Sequence, residues 1–358
     1  MVSDRHRYLP TVGLMLRPLG KTTLQVPPLV FGATTLGNLF REVPAQDKAE
    51  IVAGWLDSGL AGVVIDTAGK YGAGLSLEVI GRELDRLQVD PTAVLISNKL
   101  AWRRVPLTTP EPTFEPGAWY GLSHDAVQDI SYHGILRCWE EGNTLLGNYS
   151  AQMVSVHDPD EYLAAASDAA DRRRRMDDIV AAYRALHELK AAGEVAAVGV
   201  GAKDWKTIQE LDGYCELDWV MFANSLTIMH HPASLVEFVD ALAARRVGII
   251  NSALFHGGFL LGGDFFDYRR LNPSAPADAQ LLQWREKFER VCQELAVSPF
   301  DVGVAFGRSH PGVTAVALSS SRADRIAQHV SAVSAQLPDA VWRSFKQRGL
   351  ISGDYHFL

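Results

Sequence analysis

The sequence predicts an α/β protein built as a (β/α)8 TIM barrel with long loops over its C-terminal face. Three observations predict it. Eight short β-rich apolar runs recur along the 358 residues, and near-continuous hydrophobic runs suit strands buried on both faces of a parallel sheet. Segments with helical periodicity lie between them, and right-handed crossovers repeated in this way close a sheet on itself. Finally, no run leads into a GxGxxG turn. The nearest match, Gly199-Val200-Gly201, continues with Ala202 and Lys203 and lacks the third glycine, which places a doubly wound open sheet behind the barrel as the alternative.

In chain order the strand runs are Pro28–Ala33, Gly62–Asp66, Ala93–Ser97, Gln152–Val156, Val195–Val200, Trp219–Ala223, Val247–Asn251 and Val313–Leu318. After the first, Gln46–Ser58 draws one apolar stripe with Ile51, Val52, Trp55 and Leu56. After the second, Ser76–Leu87 opens on a Ser-x-Glu signal and sets Leu77, Ile80, Leu84 and Leu87 on one side. The third run is followed by a stretch rich in Pro, Trp and Thr, from Leu100 to about Asp125, too long for a plain helix. Asp177–Ala192 carries Ile179, Tyr183, Leu186 and Leu189, with Gly193 as its stop. Pro232–Arg245 and Ala323–Leu337 repeat the helical pattern. A second long gap runs from Ser252 to about Pro276. Both gaps follow strand C-termini, and their aromatic residues (Trp102, Trp119, Tyr120, Phe255, Phe259, Phe265, Phe266) favour a lid over the barrel mouth.

Composition narrows the function classes. With 47% hydrophobic and 21% charged residues, extensive disorder and fibrous architectures are excluded. Lys plus Arg number 34 against 42 Asp plus Glu, a net charge of −8, so no broad basic face exists for nucleic acid or an anionic membrane. A small-molecule partner is expected instead. Arg172–Arg175 lies among acidic residues and reads as a solvated helix start. His230-His231 lacks the spacing of a ligand set, so no metal is expected. Cys138, Cys215 and Cys292 fit neither a zinc set nor paired disulfides, in keeping with a reduced, cytoplasmic setting. No apolar run reaches the length of a membrane span. Residues 1–16 read as an extension without signal-peptide character, and 17–358 as one barrel domain.

The informative ionisable groups stand at strand C-termini. Asp66 ends the second run, with Tyr71 five residues on in DTAGKYG; Lys99 ends the third in ISNKL; His157 ends the fourth in SVHDPD. Each alone has a plain structural reading: Asp66 as a turn cap, Tyr71 as a packed aromatic, Lys99 as a solvated charge, His157 as part of a turn. Together they make chemical sense. A tyrosine hydroxyl is a poor acid–base at neutral pH, a close ammonium favours its phenolate, a buried carboxylate holds that ammonium, and an imidazole orients a substrate oxygen. Such a group moves a proton at a carbonyl or carbinol, and the accompanying hydride needs a redox cofactor.

These motifs, in this order, resemble the Asp–Tyr–Lys–His tetrad of the aldo-keto reductases. The resemblance extends from about Arg17 to about Gln336 and includes the opening segment RPLGKTTLQVPPLVFGATTLG. It implies the eight-stranded barrel, a nicotinamide cofactor bound in an extended pose, Tyr71 as general acid–base, Lys99 and Asp66 tuning it, and His157 orienting substrate. For the cofactor it implies Gly32 and Thr34 after the first strand, Asn224 beside the nicotinamide ring, and Ser252 and Leu254 along the pyrophosphate. It also implies Ser319, Ser320 and Ser321 at the next anion site, with Arg325 and His329 at the adenosine end. Gly201-Ala202-Lys203 departs from the Ser-Asn pair of many members. Ser319 and His329 stand where NADP-preferring members often carry lysine and asparagine, so the cofactor is NAD or NADP with NAD slightly favoured.

Within the family, Asp129–Arg137 (DISYHGILR), HDPD and NSALFHGGFLLGG look most like the aldose 1-dehydrogenase branch, which includes D-threo-aldose, L-fucose, L-galactose and pyridoxal dehydrogenases. That branch implies oxidation of an anomeric hydroxyl to a lactone, with Trp102, Trp119, Phe255 and His256 expected to contact the sugar. The alternatives are an NADPH-dependent aldehyde or ketone reductase, a pyridoxal 4-dehydrogenase, and a nicotinamide-binding regulatory subunit.

Overall fold

The computed structural model describes residues 15–358. The sequence-based extension at 1–16 therefore lies outside the described residues, apart from Met15 and Leu16, which are exposed. Each of the eight runs forms a strand: β1 Leu29–Gly32, β2 Val63–Ala68, β3 Val94–Leu100, β4 Met153–His157, β5 Ala197–Ala202, β6 Trp219–Ala223, β7 Gly248–Ser252 and β8 Ala315–Ser319. All eight pair in parallel and in chain order, and β8 closes the barrel on β1. The open-sheet alternative is thereby excluded.

Period-two alternation sorts the side chains. Val30, Val64, Leu95, Met153, Ala197, Trp219, Ile250 and Ala315 pack together inside the barrel. Their neighbours Phe31, Ile65, Ile96, Val154, Val198, Val220, Ile249 and Val316 face the helices. Continuing the inward series toward the C-terminal ends leads to Asp66, Lys99 and His157, so the same alternation that fills the core aims the polar groups into the mouth. Trp219, fully buried, occupies the centre and is accommodated by Gly199. A Cβ there would lie 2.5 Å from the indole.

Helices alternate with these strands: α1 Ala45–Leu56, α2 Leu75–Arg86, α3 Tyr132–Leu146, α4 Pro159–Ala164, α5 Ala169–Ala191, α6 Trp205–Asp212, α7 Ala233–Ala244, α8 Pro276–Glu294, α9 Pro299–Gly307, α10 Ile326–Ala332 and α11 Asp339–Gln347. Three expectations need correction. Ser76 does not cap α2, because Gly74 in left-handed backbone precedes that helix while the buried Ser76 hydroxyl donates to Ala33 O at 2.9 Å and lies 2.9 Å from Thr67 Oγ1. The helix foreseen at Asp177 begins at Ala169, because Asp168 accepts from the amides of Ala170 and Asp171. The helix foreseen over Ala323–Leu337 is a 3-10 turn at Ala323–Arg325 followed by the short α10.

The first long gap is partly ordered as an antiparallel hairpin of Trp102–Pro106 with His124–Gln128. The second contains a two-residue ladder, Phe265–Phe266 with Arg269–Arg270. Phe40, from the loop after β1, stacks on Phe265 at 4.2 Å between ring centroids, joining two walls of the mouth. Arg172, Arg174 and Arg175 form ion pairs with Glu210, Asp171 and Asp178, in line with a solvated helix start. Cys138 and Cys292 are buried, Cys215 is half-buried, and all three are free thiols.

Candidate active site

A cavity of ≈ 620 Å³ opens at the C-terminal ends of the strands. Asp66, Tyr71, Lys99 and His157 all line it. Asp66 Oδ2 accepts from Lys99 Nζ at 2.5 Å, and its Oδ1 accepts from Ser97 Oγ at 3.1 Å. Lys99 is 2% exposed and also donates to Thr67 O at 3.1 Å. The plain readings of Asp66 as a cap and Lys99 as a solvated charge therefore fail. Tyr71 sits on the turn after β2, which is held in place by Gly72. A Cβ on Gly72 would come within 2.4 Å of Gly37 O, and its φ of 64° suits glycine. The Lys99 ammonium lies 4.6 Å from the Tyr71 ring centroid, and His157 meets the same ring edge-on at 5.7 Å.

Burial pushes the Tyr71 phenol well above its ordinary range, and the negative charge of Asp66 and the surrounding acidic groups adds to it. This corrects the expectation of a lowered tyrosine pKa. The Lys99 charge is held on Asp66, so the resting side chain is a neutral phenol. His157 is likewise neutral, with burial holding its pKa well below the usual imidazole range and outweighing the attraction of Asp158.

The residues expected at a cofactor also converge. Gly32, Thr34, Asn224, Ser252, Leu254, Ser319, Ser320, Ser321, Arg325 and His329 all line the cavity. Thr34 Oγ1 donates to Ser319 Oγ at 3.0 Å. Asn224 has left-handed backbone with φ 58°, and its buried Oδ1 has no partner, leaving an acceptor for an amide N–H. Arg325 makes no ion pair among the described residues, which leaves its guanidinium free for a phosphate. The His329 imidazole is neutral at pH 7, its pKa lowered by burial and by Arg325 to about 4. It stacks on Phe300 at 5.2 Å.

The expected substrate residues divide. Phe255 lines the cavity. Trp119 is not among the lining residues: it is buried, stacks on Tyr71 at 5.9 Å and donates from Nε1 to Glu115 Oε2 at 2.8 Å. Trp102 and His256 are not among the lining residues. Trp102 packs beneath the Lys70 ammonium, 4.5 Å from its ring centroid, and His256 is held between Thr227 Oγ1 and Asp267 Oδ1. Buried polar partners drew both aromatics away from the mouth.

Sequence reading missed a second charged cluster. Lys70, 2% exposed, bonds Asp158 at 2.7 Å, Glu115 at 2.8 Å and Glu161 at 2.9 Å. Lys203 bonds Glu115 at 3.0 Å and Glu161 at 2.6 Å, and its ammonium lies 4.4 Å from the Tyr268 ring centroid. Burial opposes both ammonium charges, but the carboxylates outweigh it and hold both lysines above their ordinary range. Lys70 in DTAGKYG and Asp158 in HDPD were on view in the motifs. Their partners come from distant loops, and only the fold brings them together.

Fold and site together define a barrel oxidoreductase acting on CH–OH or carbonyl groups. The comparisons agree. The sequence pattern of the aldo/keto reductase family matches residues 28–348, and the chain belongs to that family, whose members use nicotinamide cofactors. It is similar to a pyridoxal 4-dehydrogenase from Microbacterium luteolum, at 28% identity over 94% of this chain and 98% of that one. It is also similar to a D-threo-aldose 1-dehydrogenase from a Pseudomonas species, at 25% identity over 92% and 95%. Among solved structures the fold matches a glycerol dehydrogenase from Gluconobacter oxydans, with TM-score 0.68 and 16% identity over 97% of this chain and 100% of that one. It also matches an aldo-keto reductase from Bacillus halodurans, with TM-score 0.65 and 18% identity over 96% and 98%.

Proposed function

We propose that this protein is an NAD(P)-dependent aldose 1-dehydrogenase, oxidising the anomeric hydroxyl of a free aldose such as L-fucose or another threo-configured sugar to the lactone. The observation that carries the reading is the convergence of Asp66, Tyr71, Lys99 and His157 on one cavity. The similarity to a threo-aldose dehydrogenase supports the choice of substrate. Tyr71 is the general acid–base. Neutral His157 donates a hydrogen bond to the reacting oxygen. Lys99, fixed by Asp66, keeps its charge against the Tyr71 ring and stabilises the phenolate that accepts the proton. A bound nicotinamide would supply the hydride acceptor for C1–H. In the oxidative direction Tyr71 first gives up its own proton to solvent, and its phenolate, held by Lys99, then takes the C1 hydroxyl proton; in the reductive direction the neutral phenol donates it.

Asn224 would hold the carboxamide end of the cofactor, Ser252 and Leu254 would flank its pyrophosphate, and Ser319–Ser321 with Arg325 would hold the adenosine side. NAD is favoured over NADP, since Ser319 presents a hydroxyl engaged by Thr34 where a cation would suit an extra phosphate. The test is cofactor reduction by the purified protein, with NAD and NADP run separately against a panel of aldoses plus pyridoxal. Rapid reduction with a 6-deoxy or threo-configured sugar is expected. Silence with every aldose, combined with NADPH oxidation by simple aldehydes, overturns the reading in favour of a reductase. A second reading, pyridoxal as substrate, is favoured by the 28% identical relative, and pyridoxal as the sole active member of the panel selects it.

A further inference from the structure

The second charged cluster borders the catalytic cavity, and the proton and hydride chemistry leaves it unused. Asp158 follows His157 at the end of β4 in left-handed backbone, φ 50° and ψ 47°, a conformation that costs a non-glycine residue free energy. Its amide donates to Gly201 O at 2.9 Å, tying the turn to β5. Its carboxylate is 3% exposed and lines the cavity beside His157. Oδ2 is taken by Lys70 at 2.7 Å, whereas Oδ1 has no hydrogen-bond donor among the described residues, with His157 Nε2 standing 3.6 Å away. Burial opposes this charge, but the Lys70 and Lys203 ammoniums outweigh it and hold the group below the usual carboxylate range.

Lys203, at the exit of β5, lines the same wall. Two of its three N–H donors reach Glu115 and Glu161, and the third has no hydrogen-bond acceptor among the described residues. Tyr268 completes the wall with an aromatic face. An ionised carboxylate in a sheltered site with an unfilled oxygen is costly until a donor arrives. A cation with one free N–H next to it calls for an acceptor. A hydroxyl is both donor and acceptor, and adjacent hydroxyls on a sugar ring meet both needs at once. The cluster holds three carboxylates, Glu115, Asp158 and Glu161, against two ammoniums, so it favours a neutral polyol over a phosphorylated or carboxylated one.

We propose that Asp158 and Lys203 are the specificity-determining pair of this site, reading the adjacent hydroxyl groups on C2 and C3, the two carbons that follow the reacting carbon. Asp158 Oδ1 accepts from one hydroxyl, and Lys203 donates to the other or to its neighbour. The inference rests on the aldose reading of the site and names what selects the aldose. Asp158→Asn is the sharpest probe. The amide must keep its oxygen on Lys70, because an NH2 group cannot face an ammonium, so it turns a donor toward the substrate where an acceptor is needed.

The experiment measures kcat and KM for the preferred aldose of the panel and for its 2-deoxy and 3-deoxy analogues, with wild-type protein and with Asp158→Asn and Lys203→Met. Calorimetric binding of the same sugars to cofactor-saturated protein runs in parallel. The wild type is expected to lose roughly 10- to 100-fold in kcat/KM on removal of the recognised hydroxyl, the size of a hydrogen bond to a charged group. In Asp158→Asn that preference collapses to within about threefold, mainly through a raised KM for the full aldose. A deoxy penalty unchanged in both variants overturns the proposal, as does a wild type that oxidises aldoses without preferring the hydroxylated ones to the deoxygenated. If no aldose is oxidised but small aldehydes are reduced, the aldose reading alone fails. The pair is then judged by the ratio of glyceraldehyde to propanal reduction, which must fall in the variants for the proposal to stand.

Discussion

Two buried lysine–carboxylate clusters stand at the mouth of the barrel among the described residues, and they are built in opposite ways. Asp66 and Lys99 come from adjacent strands of the barrel wall, β2 and β3, and form one pair at 2.5 Å. Lys70, Glu115, Asp158, Glu161 and Lys203 come from the segments after β2, β3, β4 and β5 and form a network in which the two lysines share Glu115 and Glu161. The strand pair cannot move without moving the barrel, so it suits a task in which one charge must stay fixed against a reacting phenol. The loop network ties four segments together and exposes part of its charge to the cavity, which suits recognition of a substrate's polar groups.

Breaking the strand pair has the largest expected effect. Lys99→Met leaves Asp66 as an uncompensated buried charge and should cost about 3–5 kcal/mol of stability, together with turnover reduced by about 10²–10⁴-fold. The double variant Asp66→Asn/Lys99→Met removes both charges. Chemical denaturation should find most of the stability restored, while the rate of cofactor reduction stays low. Recovery of rate along with stability would mean that the pair serves only the fold.

Breaking the network is milder. Glu115→Gln removes one carboxylate shared by Lys70 and Lys203 and weakens the acceptor for Trp119, yet each lysine keeps Glu161. KM for the substrate is expected to rise by roughly tenfold with kcat within about threefold, the pattern of lost uniform binding. A fall in kcat with KM unchanged would instead tie Glu115 to the chemistry through Trp119 and Tyr71.

The smallest effect concerns Asp160, at the edge of the network. Its Oδ2 accepts from the amides of Lys203 and Asp204 at 3.2 and 2.9 Å, while Oδ1 is buried without a partner. Burial, reinforced by Asp158, raises its pKa to about 6. The folded protein thus holds the proton more tightly than the unfolded chain. The contribution is fully present below the unfolded carboxylate range and is lost as pH rises toward 6. Asp160→Asn should therefore raise stability above pH 7 by on the order of 1 kcal/mol, read as a higher thermal midpoint, and have no effect below about pH 3. A difference independent of pH would place the cost elsewhere.

The same contrast explains what could be read from the sequence. Strand alternation made Asp66, Lys99 and His157 legible, since each continues an inward series begun by core residues such as Val64, Leu95 and Met153. The residues expected at the cofactor came from the family resemblance and not from alternation, although all of them line the same cavity. The network was not, because Glu115 meets Lys203 across 88 residues through loop geometry that no periodicity encodes. Trp102 and His256 misled because aromatic content suggests a lid without saying which rings face the mouth. The Tyr71 pKa misled because proximity of an ammonium was foreseen and its neutralisation by Asp66 was not weighed.

The account stands most directly on Tyr71. The decisive measurement compares Tyr71→Phe with wild type in aldose-dependent cofactor reduction and in equilibrium cofactor binding. Turnover should fall by about 10²–10⁴-fold while the cofactor Kd stays within about twofold, since the variant removes only the hydroxyl that moves the proton. Near-wild-type turnover by Tyr71→Phe would contradict the assignment of the site.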